Sequence, residues 1–203
     1  VGVPSAFVTL VTKGHTVSFS SKRKVVPADI EYLYESGWNE LALSGRCIRR
    51  SSMYFSLGDN RRYFSADELY GIATTSLKGG LSYYCVSETF YGEITSVLRE
   101  LGMEEVQFIP STLAQAAYLM SDKKREGYAF LLDVGFMTSS ISVIYGKGIV
   151  HEETFDFGVG TVLVALVEEL DVELATAEEI LSSSTISCGA VPNDLLWYSV
   201  FRN

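Results

Sequence analysis

Residues 128–135 have the sequence YAFLLDVG, a nearly all-apolar run that ends in Asp133-Val134-Gly135. Apolar residues at successive positions are typical of a strand that is buried on both faces of a sheet. A glycine at the end of such a strand indicates a tight corner, because a residue without a Cβ lets other groups come close to the backbone. We therefore expect a buried strand in an α/β fold, with a polar corner at its end.

The segments on the C-terminal side of this run continue the alternation of strands and helices. The elements predicted there are a strand over 139–145, a turn over 146–148, a strand over 149–157, a helix from 158 to about 170 and a further helix from about 176. The last of these follows Asp171, and the first helix opens on Gly158-Val159-Gly160. This order predicts two hairpin-connected strands followed by two helices.

The segments on the N-terminal side predict a smaller α+β arrangement. They are a hairpin over 5–19 that turns at 13–15, a helix from 27 that ends at Gly37, a strand over 46–57, a strand over 81–86 entered through Gly79-Gly80, a helix over 89–101, a strand over 106–109 and a helix over 111–120 capped by Ser111. We expect residues 1–87 to form a small α+β unit and residues 88–203 to form part of an α/β core.

Composition excludes several function classes. The 25 acidic and 16 basic side chains of the 203 residues give a formal net charge of -9, which disfavours binding to nucleic acid. Cys47, Cys85 and Cys188 lie far apart and form no CxxC pair, so neither a zinc site nor a disulfide framework is indicated. No apolar stretch approaches the roughly 20 residues of a membrane span, and we expect a cytoplasmic protein.

A constellation of small and polar residues accompanies the corner. Asp133, Gly135, Thr138 and Ser139 form an Asp-x-Gly-x-x-Thr-Ser segment, and Gly158, Gly160 and Glu178 follow at the openings of the two C-terminal helices. This segment resembles the phosphate loop of the actin-like ATPases, and the order of the following glycines and Ala177-Glu178 is similar to that of the FtsA family of bacterial cell division proteins. The opening residues also resemble the start of the 1C subdomain of that family.

The resemblance implies a partial actin-like core of the ribonuclease H-like type, with ATP and Mg²⁺ as the cofactors of the family. In such a loop a carboxylate holds a metal-bound water, glycines let backbone N–H groups reach phosphate oxygens, and a hydroxyl adds a donor. The family site therefore maps onto Asp133, Gly135, Thr138, Ser139, Gly158, Gly160 and Glu178.

Departures from the family pattern predict a degenerate nucleotide site. Phe136 and Met137 stand where the family has glycines, and bulky side chains there should obstruct the approach of phosphate. A second Asp-x-Gly-x-x-Thr segment is missing from the sequence, although an actin-like site needs one from each half. We expect no hydrolysis by this chain alone.

The resemblance also implies how such a chain works. We expect contacts with other copies of itself and with division proteins, in part through a basic face that includes Arg23, Arg50 and Arg62. The chain starts without Met, and we expect a piece of a longer protein whose membrane association, if any, runs through regions outside this sequence. Two alternatives remain open, an active ATP-binding ATPase and a PilM-like pilus-assembly scaffold.

Overall fold

The structure is a computed structural model, and it describes residues 1–41, 45–59 and 61–183. Its strands are β1 Gly2–Val3, β2 Thr9–Lys24, β3 Arg46–Ser56, β4 Ala73–Val86, β5 Ile109–Pro110, β6 Ala129–Val134, β7 Ser139–Tyr145 and β8 Gly148–Phe155. Its α-helices are α1 Pro27–Asn39, α2 Glu88–Glu100, α3 Ser111–Leu119, α4 Asp122–Arg125, α5 Val159–Leu170 and α6 Leu174–Ser182. The mixed order of strands and helices confirms the predicted α/β class.

The chain divides into two compact units. The first contains residues 1–132 and 140–154, and the second contains residues 133–139 and the chain from residue 155 onward. The division at residue 87 stays a prediction. None of the helices in the described ranges is long and apolar enough to cross a lipid bilayer.

The first unit is built on a three-stranded sheet in the order β2-β4-β3. The predicted hairpin at 13–15 is wrong, because β2 runs straight through this segment and pairs antiparallel with β4. Gly14 lies opposite Gly80 in the pairing of β2 with β4. The side chains of its two neighbours bond to α1 and to the residue that caps its end. The Lys13 ammonium bonds to Glu40 at 2.6 Å, and the His15 ring bonds to the Ser36 hydroxyl at 2.9 Å.

Glycines predicted as element boundaries serve close packing instead. Gly37 does not stop α1, which continues to Asn39. A Cβ on Gly37 would lie 2.5 Å from the Tyr83 hydroxyl oxygen, and a Cβ on Gly80 would lie 2.5 Å from the Tyr54 ring. Both glycines are therefore inside regular elements, where a neighbouring aromatic side chain takes the space of a Cβ.

Two further expectations are wrong between α2 and α3. Of the predicted strand over 106–109 only Ile109 pairs with another strand, as the first residue of β5, which runs parallel to β1. Ser111 does not cap α3, because Pro110 holds the cap position and its ring offers no side-chain acceptor. The cap that does form here belongs to α2, where the Ser87 hydroxyl accepts from the Phe90 N–H at 3.1 Å.

The first unit has two main apolar clusters. One lies between α1 and the β2-β4-β3 sheet and includes the buried Leu33, Phe55, Leu77, Leu81 and Tyr83. The other joins β4 to α3, β7 and β8, and includes the buried Tyr84, Ala116, Ile144 and Ile149. A smaller third cluster contains the buried Val3, Val86 and Phe108.

Strand β6 differs from its prediction. Ala129 and Leu131 pack on the Tyr84 cluster, whereas Phe130 is 68% exposed and Leu132 is 65% exposed. The expectation of burial on both faces is therefore wrong within the described residues. Side chains alternate between the two faces of a strand, and among the described residues an apolar cluster packs on the face of Ala129 and Leu131.

Candidate functional site

The corner after β6 is a tight loop in the second unit, closed by its own backbone. The Gly135 N–H donates to the Thr138 carbonyl oxygen at 3.0 Å. A Cβ on Gly135 would lie 2.7 Å from that same oxygen, so the turn requires glycine at this position. Asp133 is half-buried two residues earlier, within β6.

Helix α5 begins against this loop. The Val159 N–H donates to the Gly135 carbonyl oxygen and the Gly160 N–H donates to the Phe136 carbonyl oxygen, each at 2.9 Å. The next two N–H groups, those of Thr161 and Val162, both donate to the Gly158 carbonyl oxygen. The bond from Val162 is the first regular bond of the helix, and the N–H groups of Val159, Gly160 and Thr161 before it are all bonded as well.

Gly158 and Gly160 make this contact sterically possible. A Cβ on Gly158 would lie 2.4 Å from the Gly135 carbonyl oxygen and 2.5 Å from that of Phe136. A Cβ on Gly160 would lie 3.0 Å from the Phe136 carbonyl oxygen. Because both residues lack a Cβ, the loop backbone can approach closely, and the groups that lie against them are carbonyl oxygens of that loop. We call this arrangement of 135–138 and 158–161 the loop–helix lock.

The Phe136 side chain covers the start of α5. Its ring carbons would lie 3.0 and 3.1 Å from a Cβ on Gly160, so the ring rests on that glycine. Even so, the Phe136 side chain is 61% exposed, and that of Met137 is exposed as well. The Phe136 ring and the bonded backbone beneath it thus both lie at the start of α5, and the obstruction of phosphate at this loop stays a prediction.

Of the remaining predicted site residues, Thr138 and Ser139 lie at the loop–helix lock and Glu178 lies on the surface. The Ser139 hydroxyl is buried and donates to the Phe157 carbonyl oxygen at 2.9 Å, which leaves it anchored on the segment before α5. Thr138 lies in the loop and is half-buried. Glu178 is exposed on α6, next to the fully buried Ala177 that packs α6 on α5. The structure thus gathers every predicted site residue except Glu178 into one loop and its neighbouring helix start.

The charged side chains in the described part of the second unit are all acidic. Over residues 133–139 and 155–183 no Lys or Arg occurs, while the acidic residues are Asp133, Asp156, Glu168, Glu169, Asp171, Glu173, Glu178 and Glu179. A concentration of carboxylates raises the electrostatic cost of bringing in a polyphosphate. Within the described part of this unit, no basic side chain offsets that cost.

These observations test whether the residues fit a bound Mg-nucleotide. The N–H groups that would bind phosphate oxygens already donate to loop carbonyl oxygens, and the nearby charges are negative. In this conformation the loop and the start of α5 do not fit the group.

Sequence reasoning missed the role of Thr161. Its hydroxyl oxygen accepts from the Gly158 N–H at 3.4 Å and so ties the helix start back on itself. The signal was present, because a hydroxyl three residues after the cap position is suited to reach back to the cap backbone. The contact between Phe136 and Gly160 had no comparable sequence signal.

Comparisons with known proteins give the following result. No family model matches this sequence, and no curated protein matches it. Among solved structures, the PilM-PilN type IV pilus biogenesis complex is similar with 12% identity and a TM-score of 0.48, over 84% of this chain and 46% of that one.

Two other solved structures are similar over shorter segments. Ethanolamine utilization protein EutJ from Carboxydothermus hydrogenoformans has 22% identity and a TM-score of 0.36, over 43% of this chain and 31% of that one. MreB5 of Spiroplasma citri bound to ADP has 18% identity and a TM-score of 0.40, over 47% of this chain and 31% of that one. The chain spans less than half the length of each of the three.

Proposed function

We propose that this chain is part of an actin-like scaffold that works through protein contacts and whose loop at Asp133 no longer binds nucleotide. The observation that carries the proposal is the loop–helix lock. In it the backbone carbonyl oxygens of Gly135 and Phe136 accept hydrogen bonds from the first two N–H groups of α5. A helix start with free N–H groups attracts anions, and a bonded one does not.

The order of elements supports the actin-like part of this proposal. A strand, an Asp-x-Gly loop, a second strand, a glycine turn, a third strand and a glycine-opened helix follow one another from β6 to α5. Fold and function are separate questions, and the role in cell division rests on the resemblance to FtsA. A PilM-like role in pilus assembly would use the same architecture.

A contact surface on the first unit supports the scaffold part. Phe130 and Leu132 are alternate residues of β6, and Tyr128 continues the same alternation directly before the strand begins. Alternate residues of an extended chain lie on one face, and all three side chains are exposed. We call these three residues the β6 stripe. Tyr128 also stacks on Tyr145 with ring centroids 4.8 Å apart, which holds one end of the stripe in place.

The energetics of the β6 stripe favour a partner. Burying a Phe or Leu side chain that is otherwise exposed contributes about 1.5–3 kcal/mol. An edge strand that also presents such side chains offers both apolar area and unpaired backbone groups to another chain. We propose that further copies of this chain, and division proteins, bind here.

Sedimentation velocity over a concentration series tests this contact. The wild-type chain should associate as its concentration rises, and the double variant Phe130→Ser/Leu132→Ser should stay at the smallest species. Leu101→Ser is the matched control, because Leu101 is 70% exposed on the first unit and lies outside the β6 stripe. Equal sedimentation of the wild type and the double variant would remove the β6 stripe from the proposal.

A second candidate, ATP binding by a longer protein, is favoured by one observation. The Asp133-x-Gly135-x-x-Thr138 segment keeps its carboxylate and hydroxyl at the end of a strand. Binding would require Gly135 and Phe136 to release the N–H groups of α5, at a cost of about 1 kcal/mol for each hydrogen bond. Titration with Mg-ATP separates the two candidates.

A further inference from the structure

A pair of cysteines in the first unit is placed for redox chemistry. Cys47 on the edge strand β3 lies directly opposite Cys85 on the central strand β4. Directly opposed residues of an antiparallel pair have Cα atoms about 4.5–5.5 Å apart and side chains on the same face. That separation lies within the Cα range of about 4.4–6.8 Å that a disulfide spans.

The two thiols differ in accessibility. Cys85 is 3% exposed within the cluster between α1 and the sheet, whereas Cys47 is half-buried at the margin of that cluster. The pairing register of β3 shifts immediately after Cys47, between Cys47 and Arg49, so Cys47 sits beside a β-bulge. Bulges redirect side chains at the edges of sheets, and this one adjoins the more accessible thiol.

Cys47 also lines a cavity. The cavity has a volume of about 610 Å³ and lies between α1 and the strands, with Tyr34, Trp38, Ile48 and Tyr83 among its walls. Cys47 therefore borders a space large enough for a small molecule, whereas Cys85 is buried in the neighbouring apolar cluster.

The environment favours the reactive form of Cys47. The Cys47 thiol donates to the Arg49 carbonyl oxygen at 3.2 Å. The adjacent Cys85 thiol, as a hydrogen-bond donor to the thiolate, lowers the pKa of Cys47 to about 7, burial opposes this change, and the positive charge of Arg50 assists it. The same hydrogen bond, together with burial, raises the pKa of the Cys85 thiol. The other titratable and charged groups around the cavity are Glu31, Tyr34 and Glu35 on α1, Arg49 and Arg50 on β3, and Tyr83 on β4.

We propose that Cys47 and Cys85 form a peroxide-sensitive thiol pair, in which Cys47 is the attacking cysteine and Cys85 the resolving cysteine. The Cys47 thiolate attacks one oxygen of a small hydroperoxide, so the O–O bond breaks, an S–O bond forms and the peroxide is reduced to an alcohol or water after taking up a proton. Cys85 then attacks the sulfenic sulfur, its proton passes to the departing hydroxyl, and water leaves as the disulfide forms.

The disulfide would fix the edge strand β3 to the central strand β4 beside the bulge. It differs from a structural disulfide because both cysteines are thiols in the structure and one of them opens to a cavity. Low-pKa, accessible cysteines next to a resolving cysteine are the ones that respond to oxidants. Sequence spacing does not reveal the pair, since the two cysteines meet only through the β3–β4 register.

Mass spectrometry after treatment with hydrogen peroxide tests the proposal. In a Cys188→Ser background, free thiols are alkylated and the folded chain is digested without reduction. We expect a joined pair of peptides containing Cys47 and Cys85, lighter than the two thiol peptides by two hydrogen atoms. Both cysteines recovered as alkylated thiols at peroxide doses that oxidise a free cysteine peptide would overturn the proposal.

Single variants establish the order of attack. Cys85→Ser should trap the sulfenic acid on Cys47, detected as a dimedone adduct, and Cys47→Ser should give no adduct on Cys85 at the same dose. Iodoacetamide should alkylate Cys47 with a rate midpoint near pH 7, compared with about 8.5 for a cysteine in a peptide. Adducts on Cys85 in place of Cys47 would overturn the assignment, and circular dichroism of each variant checks that it is folded.

Discussion

The Gly160 N–H donates to the Phe136 carbonyl oxygen at 2.9 Å, and the Phe136 ring lies over the same glycine. One residue of the loop therefore satisfies the helix start with its backbone and covers it with its side chain. A glycine at 136 would remove the ring and keep the carbonyl oxygen to which the Gly160 N–H donates. The side chain of residue 136 thus sets whether a ring covers this helix start, and the backbone closes it.

Replacement of Gly158 by Ala should disrupt the loop–helix lock. The added Cβ would lie 2.4 and 2.5 Å from two backbone carbonyl oxygens, which have no flexible end that could move away. We expect a loss of about 1–3 kcal/mol in the free energy of unfolding, measured by urea titration. Gly92→Ala is the matched control, because its Cβ would enter open space on α2 and should stabilise the helix by up to about 1 kcal/mol. Equal effects of the two variants would contradict the lock.

Tyr84 connects the sheet of the first unit to β8. Its hydroxyl oxygen accepts from the Ile149 N–H at 3.0 Å, and burial raises the pKa of Tyr84 to about 12. Tyr84→Phe would leave a buried N–H without its acceptor, and we expect a loss of about 1–3 kcal/mol in the free energy of unfolding. Tyr118→Phe should change that free energy by less than about 0.5 kcal/mol, because Tyr118 is 90% exposed. An unchanged free energy of unfolding in Tyr84→Phe would show that this hydrogen bond does not stabilise the fold.

Asp29 should make stability depend on pH. Its buried carboxylate accepts from Arg23 at 2.9 Å and from the Val26 N–H at 2.9 Å. The bond from Arg23 holds the pKa of Asp29 below its ordinary value, burial acts against this, and the bond from Val26 adds to it. A depressed folded-state pKa contributes stability that is fully present above about pH 4, and that is lost as the pH falls through the lowered value.

Urea titrations of Asp29→Asn and wild type at pH 7, 5 and 3 test this linkage. The variant should be less stable by about 1–3 kcal/mol at pH 7 and 5. The difference should shrink at pH 3, because Asp29 takes up a proton in the unfolded wild-type chain before it does so in the folded one. Glu35→Gln, an exposed carboxylate on the same helix, is the control. A difference that stays constant down to pH 3 would exclude a role for the ionised carboxylate.

Sequence patterns predicted those strands, turns and helices whose conformation depends on residues a few positions apart. The strand over 139–145, the turn at Gly146 and the helix opened by Gly158 all occur as expected, because alternating apolar residues and glycines act over a few positions. Local patterns failed where a distant residue decides the outcome. Gly37 lies inside a helix where the Tyr83 hydroxyl takes the space of a Cβ, and β6 is buried on the one face that packs on the Tyr84 cluster.

The candidate site shows the same division between local and distant causes. Gly135 and Thr138 lie in the loop between β6 and β7, and Asp133 lies in β6 just before that loop, as expected of residues joined by a few successive peptide units. Their role in binding phosphate stays a prediction. The bonds from Val159 and Gly160 to that loop join segments separated by β7 and β8, and no spacing in the sequence indicates them. The opposition of Cys47 and Cys85 is likewise a product of strand register.

Isothermal titration calorimetry with Mg-ATP tests the central claim most directly, with the wild-type chain, Asp133→Ala and Phe136→Gly/Met137→Gly compared at one concentration. The account predicts no saturable heat for the wild type or Asp133→Ala, because the N–H groups at the start of α5 are bonded to Gly135 and Phe136. Saturable binding by the wild type that Asp133→Ala abolishes would contradict it, and would make the corner a working phosphate loop.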